Sequence, residues 1–156
     1  MDLHPDFRDL LAEFARSTVR FVLVGGYAVG HHAKPRAPKD LDLLVSGSSE
    51  NLARVAVALD RFGAPRSVVD AARTMGESDV VYMGVEPVRV DMMRTADGID
   101  TDAVIARADR LRIGALEVPV IALQDLVANK RAAGRARDLA DVELLERVLK
   151  RRGEGR

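Results

Sequence analysis

The sequence predicts an α/β fold of the mixed (α+β) kind, with one β-sheet of both parallel and antiparallel neighbours, flanking helices and a C-terminal helix pair. Three observations predict it. Segments with apolar residues at helical spacing interleave along the chain with short β-branched runs. Two pairs of those runs stand close enough together to be hairpins. The stretch from Ala122 to Lys150 is helical in period, broken by Gly134.

Each element has its own signal. Phe7, Leu10, Leu11, Phe14 and Ala15 recur at intervals of three and four, which predicts an amphipathic helix from Pro5 to about Thr18. Arg20 to Val24 is an apolar run ended by Gly25-Gly26 and reads as a buried strand. Tyr27 to His32 forms a short helix, stopped by the Pro35 and Pro38 region. Asp40 to Val45 is a second strand, and SGSSE supplies a turn and an N-cap. Leu52, Val55, Ala56 and Leu59 then repeat at helical spacing up to Phe62-Gly63. Asp79 to Met83 and Val88 to Met93 pair across a GVEP turn; Arg110 to Ile113 and Leu116 to Val120 pair across Gly114-Ala115. A helix lies between these hairpins. Ala122 to Ala133 and Ala136 to Lys150 complete the chain as two helices.

The 156 residues suit one domain, with a core over about residues 20–121 and a helical portion over about 122–150. Apolar residues at 47% and charged residues at 31% are a globular composition rather than a disordered one. No cysteine is present, which excludes disulfides and thiolate zinc sites. The acidic start MDLHPDFRDLLAEF is unlike a signal peptide, and no apolar run approaches the roughly 18 residues of a membrane span. The expectation is a cytoplasmic protein without membrane partners. Net charge is zero, which argues against wholesale electrostatic binding of nucleic acid. From Lys130 onward nine Lys or Arg face five Asp or Glu, an excess of four read as a solvated helix with a basic tail, KRRGEGR.

One feature of the second strand is costly. Side chains two apart on a strand share a face about 7 Å apart, so Asp40 and Asp42 look out together while Leu41 and Leu43 look into the core. A third acid interrupts an apolar strand at Val90-Asp91-Met92. If the two strands are neighbours, three carboxylates converge, and they repel unless a cation neutralises them. Carboxylate oxygens are natural ligands of Mg²⁺ or Mn²⁺. Gly25-Gly26, between a strand and a helix, offers bare amides and a positive helix end to an anion such as phosphate. Acids that bind a divalent cation beside a phosphate cradle suit transfer from a nucleoside triphosphate.

These residues resemble the signature of the DNA polymerase β-like nucleotidyltransferase superfamily. The signature stands here as Leu23-Val24-Gly25-Gly26, Asp40-Leu41-Asp42-Leu43 and Val90-Asp91-Met92. RAPKDLDLLV, ENLARVAVALDRFGAP, VEPVRVDMM and LVANKRAAGRARDLADVELL further resemble small bacterial nucleotidyltransferase-like proteins related to abortive-infection nucleotidyltransferase toxins. That likeness runs from about Phe21 to Leu145. It implies a nucleotidyltransferase fold and transfer of a nucleoside monophosphate from an NTP to a hydroxyl, with release of pyrophosphate. The implied acceptor is an RNA end, a protein side chain or a small molecule. A toxin role with an antitoxin partner follows from kinship alone. In this reading Gly25 and Gly26 hold the triphosphate, Asp40 and Asp42 bind two metal ions, and Asp91 shares one and helps deprotonate the hydroxyl. Pro38 stands where relatives often carry Thr in R-x-T-x-D.

The remaining polar residues divide between chemistry and structure. The resemblance puts Lys130 on the nucleotide phosphates and Asp138 near the site. The alternative is a capped helix junction in which Lys130 pairs with Asp138 or Asp141 across Gly134, an exposed bridge worth about 0 to 1 kcal/mol. Arg36 and Lys39 precede the acids and either meet phosphate or lie exposed. His31 and His32 are neighbours on a helix and poorly placed to share a metal, so no zinc role is assigned. Met92 reads as core filler, and Tyr27 as packing rather than pocket lining. The rival to the enzyme is a non-catalytic nucleotide-binding or protein-partner module that keeps the fold.

Overall fold

A computed structural model describes residues 2–154. Gly155 and Arg156 of the expected basic tail lie outside the described residues. The chain begins with helix α1 (Pro5–Arg16), strand β1 (Phe21–Val24), helix α2 (Gly25–His32), strand β2 (Asp40–Val45) and helix α3 (Ser49–Phe62). Helix α4 (Arg66–Arg73), strands β3 (Val80–Met83) and β4 (Arg89–Met93) and helix α5 (Thr101–Ala106) follow. Strands β5 (Asp109–Ile113) and β6 (Leu116–Val120) lead to α6 (Leu123–Ala133) and α7 (Ala136–Glu154). The sheet order is β3-β4-β2-β1-β6-β5. Pairs β1/β6 and β2/β4 are parallel, and β1/β2, β3/β4 and β5/β6 antiparallel. The mixed sheet with flanking helices is the expected class.

Local chemistry sets most boundaries. Pro5 opens α1, where its missing N–H costs nothing, and the His4 ring accepts from the Asp6 amide at 3.1 Å. Ser48 caps α3 by accepting from the Asn51 amide. Gly63 and Gly134 end α3 and α6 in the left-handed conformation, at φ 95° and 68°, where a side chain would be strained. Helix α4 has no counterpart in the sequence reading. It buries only Val69 and Ala72, and its Val68-Val69 pair is a weak helix former, so its stripe is too short to register as periodicity.

The core follows from alternation. Leu41, Leu43 and Val45 of β2 are fully buried, facing away from Asp40 and Asp42. Phe7, Leu10, Leu11 and Phe14 of α1 are buried with them, and Phe14 meets Phe21 edge-on with ring centroids 5.1 Å apart. Met92 is fully buried, as a filler should be. Tyr27 packs edge-on to Phe7 at 5.9 Å, and burial raises its phenol pKa.

A single amide locks the first two strands to α3. Asn51 is 1% exposed. Its Oδ1 accepts from the Arg20 amide at 2.7 Å, while its Nδ2 donates to the carbonyls of Arg20 and Ser46 at 3.0 and 2.8 Å. Asn51→Ala would leave the Arg20 amide and the Ser46 carbonyl without that partner, at about 1 to 3 kcal/mol for each that stays buried, while the Arg20 carbonyl keeps the Ser46 amide at 3.0 Å. The variant should lose about 3 kcal/mol of stability in urea unfolding. A loss under about 0.5 kcal/mol, the range of a surface substitution, would show that Asn51 is not the clamp.

Candidate active site

Strand register builds the site. In β2/β4 pairing Asp42 lies opposite Asp91, and in β1/β2 pairing Val24 lies opposite Asp42. Asp40 is on the same face of β2. One carboxylate oxygen from each of Asp40, Asp42 and Asp91 lies within 4.8 Å of the others. The three acids therefore meet, brought together from two strands about 50 residues apart.

The local electrostatics are those of crowded anions. Burial, and then the charges of Asp91 and Asp40, raise the Asp42 pKa from 3.8 to about 6. Burial, Asp91 and Glu86 raise that of Asp40. Asp40 Oδ1 is buried without a hydrogen-bond partner, a bare lone pair facing crowded carboxylates. Asp91 alone has a close counter-ion, accepting from Arg89 Nε at 2.8 Å. The Arg89 guanidinium lies 4.4 Å from the centroid of the Tyr82 ring. This donor set, all carboxylate oxygen with an orphaned buried atom, fits a hard divalent cation.

The glycine pair is demanded by close approach. Gly25 has φ 70°, and a Cβ on it would collide with the Asp42 carboxylate. A Cβ on Gly26 would stand 2.9 Å from Pro38 Cβ. Pro38, where a Thr was expected by resemblance, thus packs against the first turn of α2. No side chain caps that turn, so its first amides are free for an anion.

Lys130 lies on the same cleft, a volume of about 390 Å³ that also touches Gly25, the three acids and Asp138. Its Nζ is 3.2 Å from Asp138 Oδ1 and 3.1 Å from Asp141 Oδ2, with the side chain only 11% exposed. The pairing across Gly134 is therefore no exposed bridge: it engages both acids and is nearly buried. Burial would raise the pKa of Asp138, but hydrogen bonds from Arg135 and Lys130 hold it low. Burial likewise opposes, and Arg36 and Lys130 outweigh it, at Asp141. Lys130 also acts on Asp42, where its charge favours the ionised form.

Arg36 and Lys39, read as meeting phosphate or lying exposed, do not line the acid cleft. Arg36 donates to both Asp141 oxygens, at 2.9 and 3.4 Å, and lines a recess with Tyr27 and His31 rather than the acid cleft. Lys39 is exposed and 3.8 Å from Glu86. The cleft instead presents Arg135 and Arg137, and Arg137 favours ionisation of both Asp40 and Asp42. Sequence reasoning missed Arg89 and Arg137. Arg89 was detectable, since it is two residues before Asp91 and shares its strand face. Arg137 carries no such signal, being one arginine among several on a basic helix.

Among the described residues no helix is long and apolar enough to cross a membrane. A search of curated proteins finds no match. Residues 9–154 match the family model described as "Nucleotidyl transferase AbiEii toxin, Type IV TA system". That match spans nearly the whole chain, from α1 through α7, and takes in both glycines, all three acids and Lys130; the chain belongs to the AbiEii family of nucleotidyl transferase toxins of type IV toxin–antitoxin systems.

Proposed function

We propose that this protein transfers a nucleoside monophosphate from an NTP to a hydroxyl acceptor, with Mg²⁺ or Mn²⁺ held by Asp40, Asp42 and Asp91. The convergence of those three carboxylates within 4.8 Å, beside an uncapped glycine-led helix N-terminus, carries the reading. Family membership supports it. The divalent cation, when bound, supplies Lewis-acid stabilisation of charge on the phosphates and the attacking oxygen.

The chain's own groups supply the rest. Amides of Gly25 and Gly26 bind the triphosphate, and the close contact of Gly25 with Asp42 keeps phosphate and carboxylates adjacent. Lys130, Arg135 and Arg137 place positive charge along the cleft and balance the polyphosphate, Lys130 as a point charge. Asp91 accepts the proton of the acceptor hydroxyl, whose oxygen bonds to the α-phosphorus as the α–β bridging bond breaks and pyrophosphate leaves. Arg89, bonded to Asp91, orients that carboxylate. Asp138 positions Lys130. The acceptor is an RNA end, a protein side chain or a small molecule. The reaction runs in the cytoplasm, where NTPs are available, as the toxin's activity within a toxin–antitoxin pair. Incubation with labelled NTP, Mg²⁺ and an RNA pool tests the activity. Pyrophosphate release and a labelled product are expected; neither arising, with RNA, protein or small-molecule hydroxyls offered, leaves a non-catalytic nucleotide-binding module in its place.

The raised pKa of Asp42 fixes the sign of a pH effect. With a folded value of about 6 against 3.8 unfolded, the folded state holds this proton more tightly. Stability of the metal-free protein therefore falls as pH rises from about 4 to 6, a loss of about 3 kcal/mol that is complete above that window. A cation that binds the ionised trio offsets the loss. Thermal melts in EDTA, in Mg²⁺ and in Mg²⁺ plus NTP should separate at pH 7.5 and draw together toward pH 4. Superimposed melts at pH 7.5 would rule out the metal site.

Asp42→Asn removes the charge and keeps the volume. Without metal, the variant should be more stable than wild type at pH 7.5, with the advantage shrinking toward pH 4. Nucleotidyl transfer should fall by about a thousandfold or more. Near-native turnover in this variant, or in Asp91→Asn, would remove that residue from the proposed chemistry.

Lys130→Ala leaves Asp138 and Asp141 nearly buried with one cation fewer. Breaking such a pair costs about 3 kcal/mol, and Arg135 and Arg36 compensate in part, so a loss of about 2 kcal/mol is expected in urea unfolding. If Lys130 also meets phosphate, calorimetric titration with a non-hydrolysable NTP should show about tenfold weaker binding, about 1.4 kcal/mol. Lower stability with unchanged affinity would make Lys130 a structural residue only.

A further inference from the structure

The far end of α2 carries a second cluster of metal-binding groups, separate from the acid trio. His32, in the last helical residue, has a side chain with no exposed surface. Its Nε2 is 2.6 Å from the Ile121 carbonyl. A carbonyl only accepts, so Nε2 carries the proton and the neutral ring keeps its lone pair on Nδ1. That Nδ1 is buried without a partner. The His31 ring stands against it, T-shaped, with centroids 4.7 Å apart. Strand β5 brings Asp109 to the pair, its carboxylate 3.7 Å from His32 Nε2. One ring nitrogen from each histidine and one Asp109 oxygen lie within 4.8 Å of one another.

We propose that His31, His32 and Asp109 form a transition-metal site, for Zn²⁺ or a similar borderline ion, that ties the C-terminal end of α2 to β5. Two imidazoles and one carboxylate are a nitrogen-and-oxygen set that suits Zn²⁺ and disfavours Mg²⁺. His32 binds through Nδ1, the Ile121 carbonyl holds its other nitrogen, the usual outer contact of a ligating histidine, and the Asp109 carboxylate, nearest to Nε2 in this structure, turns to the Nδ1 side. Water fills the fourth position. Bonds near 2.0 to 2.1 Å require donors about 3.3 Å apart, so the cluster must contract. Asp109, 44% exposed, and the half-buried His31 have the freedom to do so.

The surroundings agree with this assignment. A recess of about 320 Å³ lined by Tyr27, Gly30, His31 and Pro35 opens the His31 side of the cluster to solvent. Adjacent histidines lie about 100° apart around a helix, which argued against a shared ion. The two rings nevertheless meet here, with centroids 4.7 Å apart. The third ligand, 77 residues from His32 in sequence, comes only with the fold.

The test uses the full-length protein without an affinity tag, stripped of metal, and Zn²⁺ as the probe in competition with a chromogenic chelator. With Mg²⁺ in large excess to occupy the acid trio, one Zn²⁺ per chain should bind. His31→Ala and Asp109→Asn should each weaken binding at least tenfold, while Asp42→Asn and His4→Gln leave it unchanged. Both site substitutions fall on accessible side chains, and circular dichroism checks that the variants fold. Co²⁺ in place of Zn²⁺ should give the intense visible bands of a four-coordinate ion, lost in the same two variants. No stoichiometric binding, binding retained in His31→Ala or Asp109→Asn, or loss confined to Asp42→Asn would overturn the site. These readouts are independent of nucleotidyl transfer.

Discussion

Two carboxylates side by side on parallel strands are the constraint to which the rest of the molecule answers. The β2/β4 register sets Asp42 directly against Asp91, and Asp40 adds a third charge on the same face. Neutral packing would have cost less there. Ionisation of Asp42 is resisted up to about pH 6, and Asp40 keeps a buried oxygen with no partner. The surrounding chain concentrates its countermeasures at this point. Gly25 gives up its side chain so that the backbone can pass Asp42, Arg89 neutralises Asp91 from the same strand, and α6 and α7 lend the charges of Lys130 and Arg137.

The cation supply is itself held by a second set of acids. Lys130 is gripped by Asp138 and Asp141, Asp138 by Arg135, and Asp141 by Arg36. Three cations and two anions thus form one chain of pairs from the loop before β2, through α6, to α7. An isolated buried ion pair often fails to recover its desolvation cost. Here each carboxylate has two cationic partners, and the pKa of both acids falls despite burial. The position of a flexible lysine becomes fixed relative to the carboxylate trio. Arg36, expected on phosphate or in solvent, is instead the tie between this network and the loop that leads into Asp40.

What the sequence disclosed follows from the range of each interaction. The strand carrying Asp40 and Asp42, its shared polar face and the glycine break before α2 depend on neighbours within a few residues, and periodicity revealed them. That Asp91 would meet them needed β2 and β4 to be adjacent, which no local pattern states and which entered as a condition. The double engagement of Lys130 depends on the turn at Gly134, visible in the sequence, and on the angle of α7, which is not. Arg137 and Asp109 acquire their roles purely from tertiary placement. Helix α4 escaped for a different reason: with two buried residues it is stabilised by what it packs on more than by its own pattern.

Helix α2 shows how a short element serves two requirements at once. Eight residues make a helix that is marginal on its own, and three of them are glycine. Its start cannot carry side chains, because Asp42 and Pro38 occupy the space where they would go. Stability must therefore come from elsewhere along it. Ala28 and Val29 bury their side chains in the middle, and His32 anchors the end through the Ile121 carbonyl on the strand-to-helix link after β6. β1 and β6 pair in parallel, and the Ile121 amide donates in turn to the Leu23 carbonyl on β1. The glycine pair and the histidine pair are thus referred to the same two strands. A helix tethered at its far end can present an unprotected N-terminus to the cleft without losing its place against the acids.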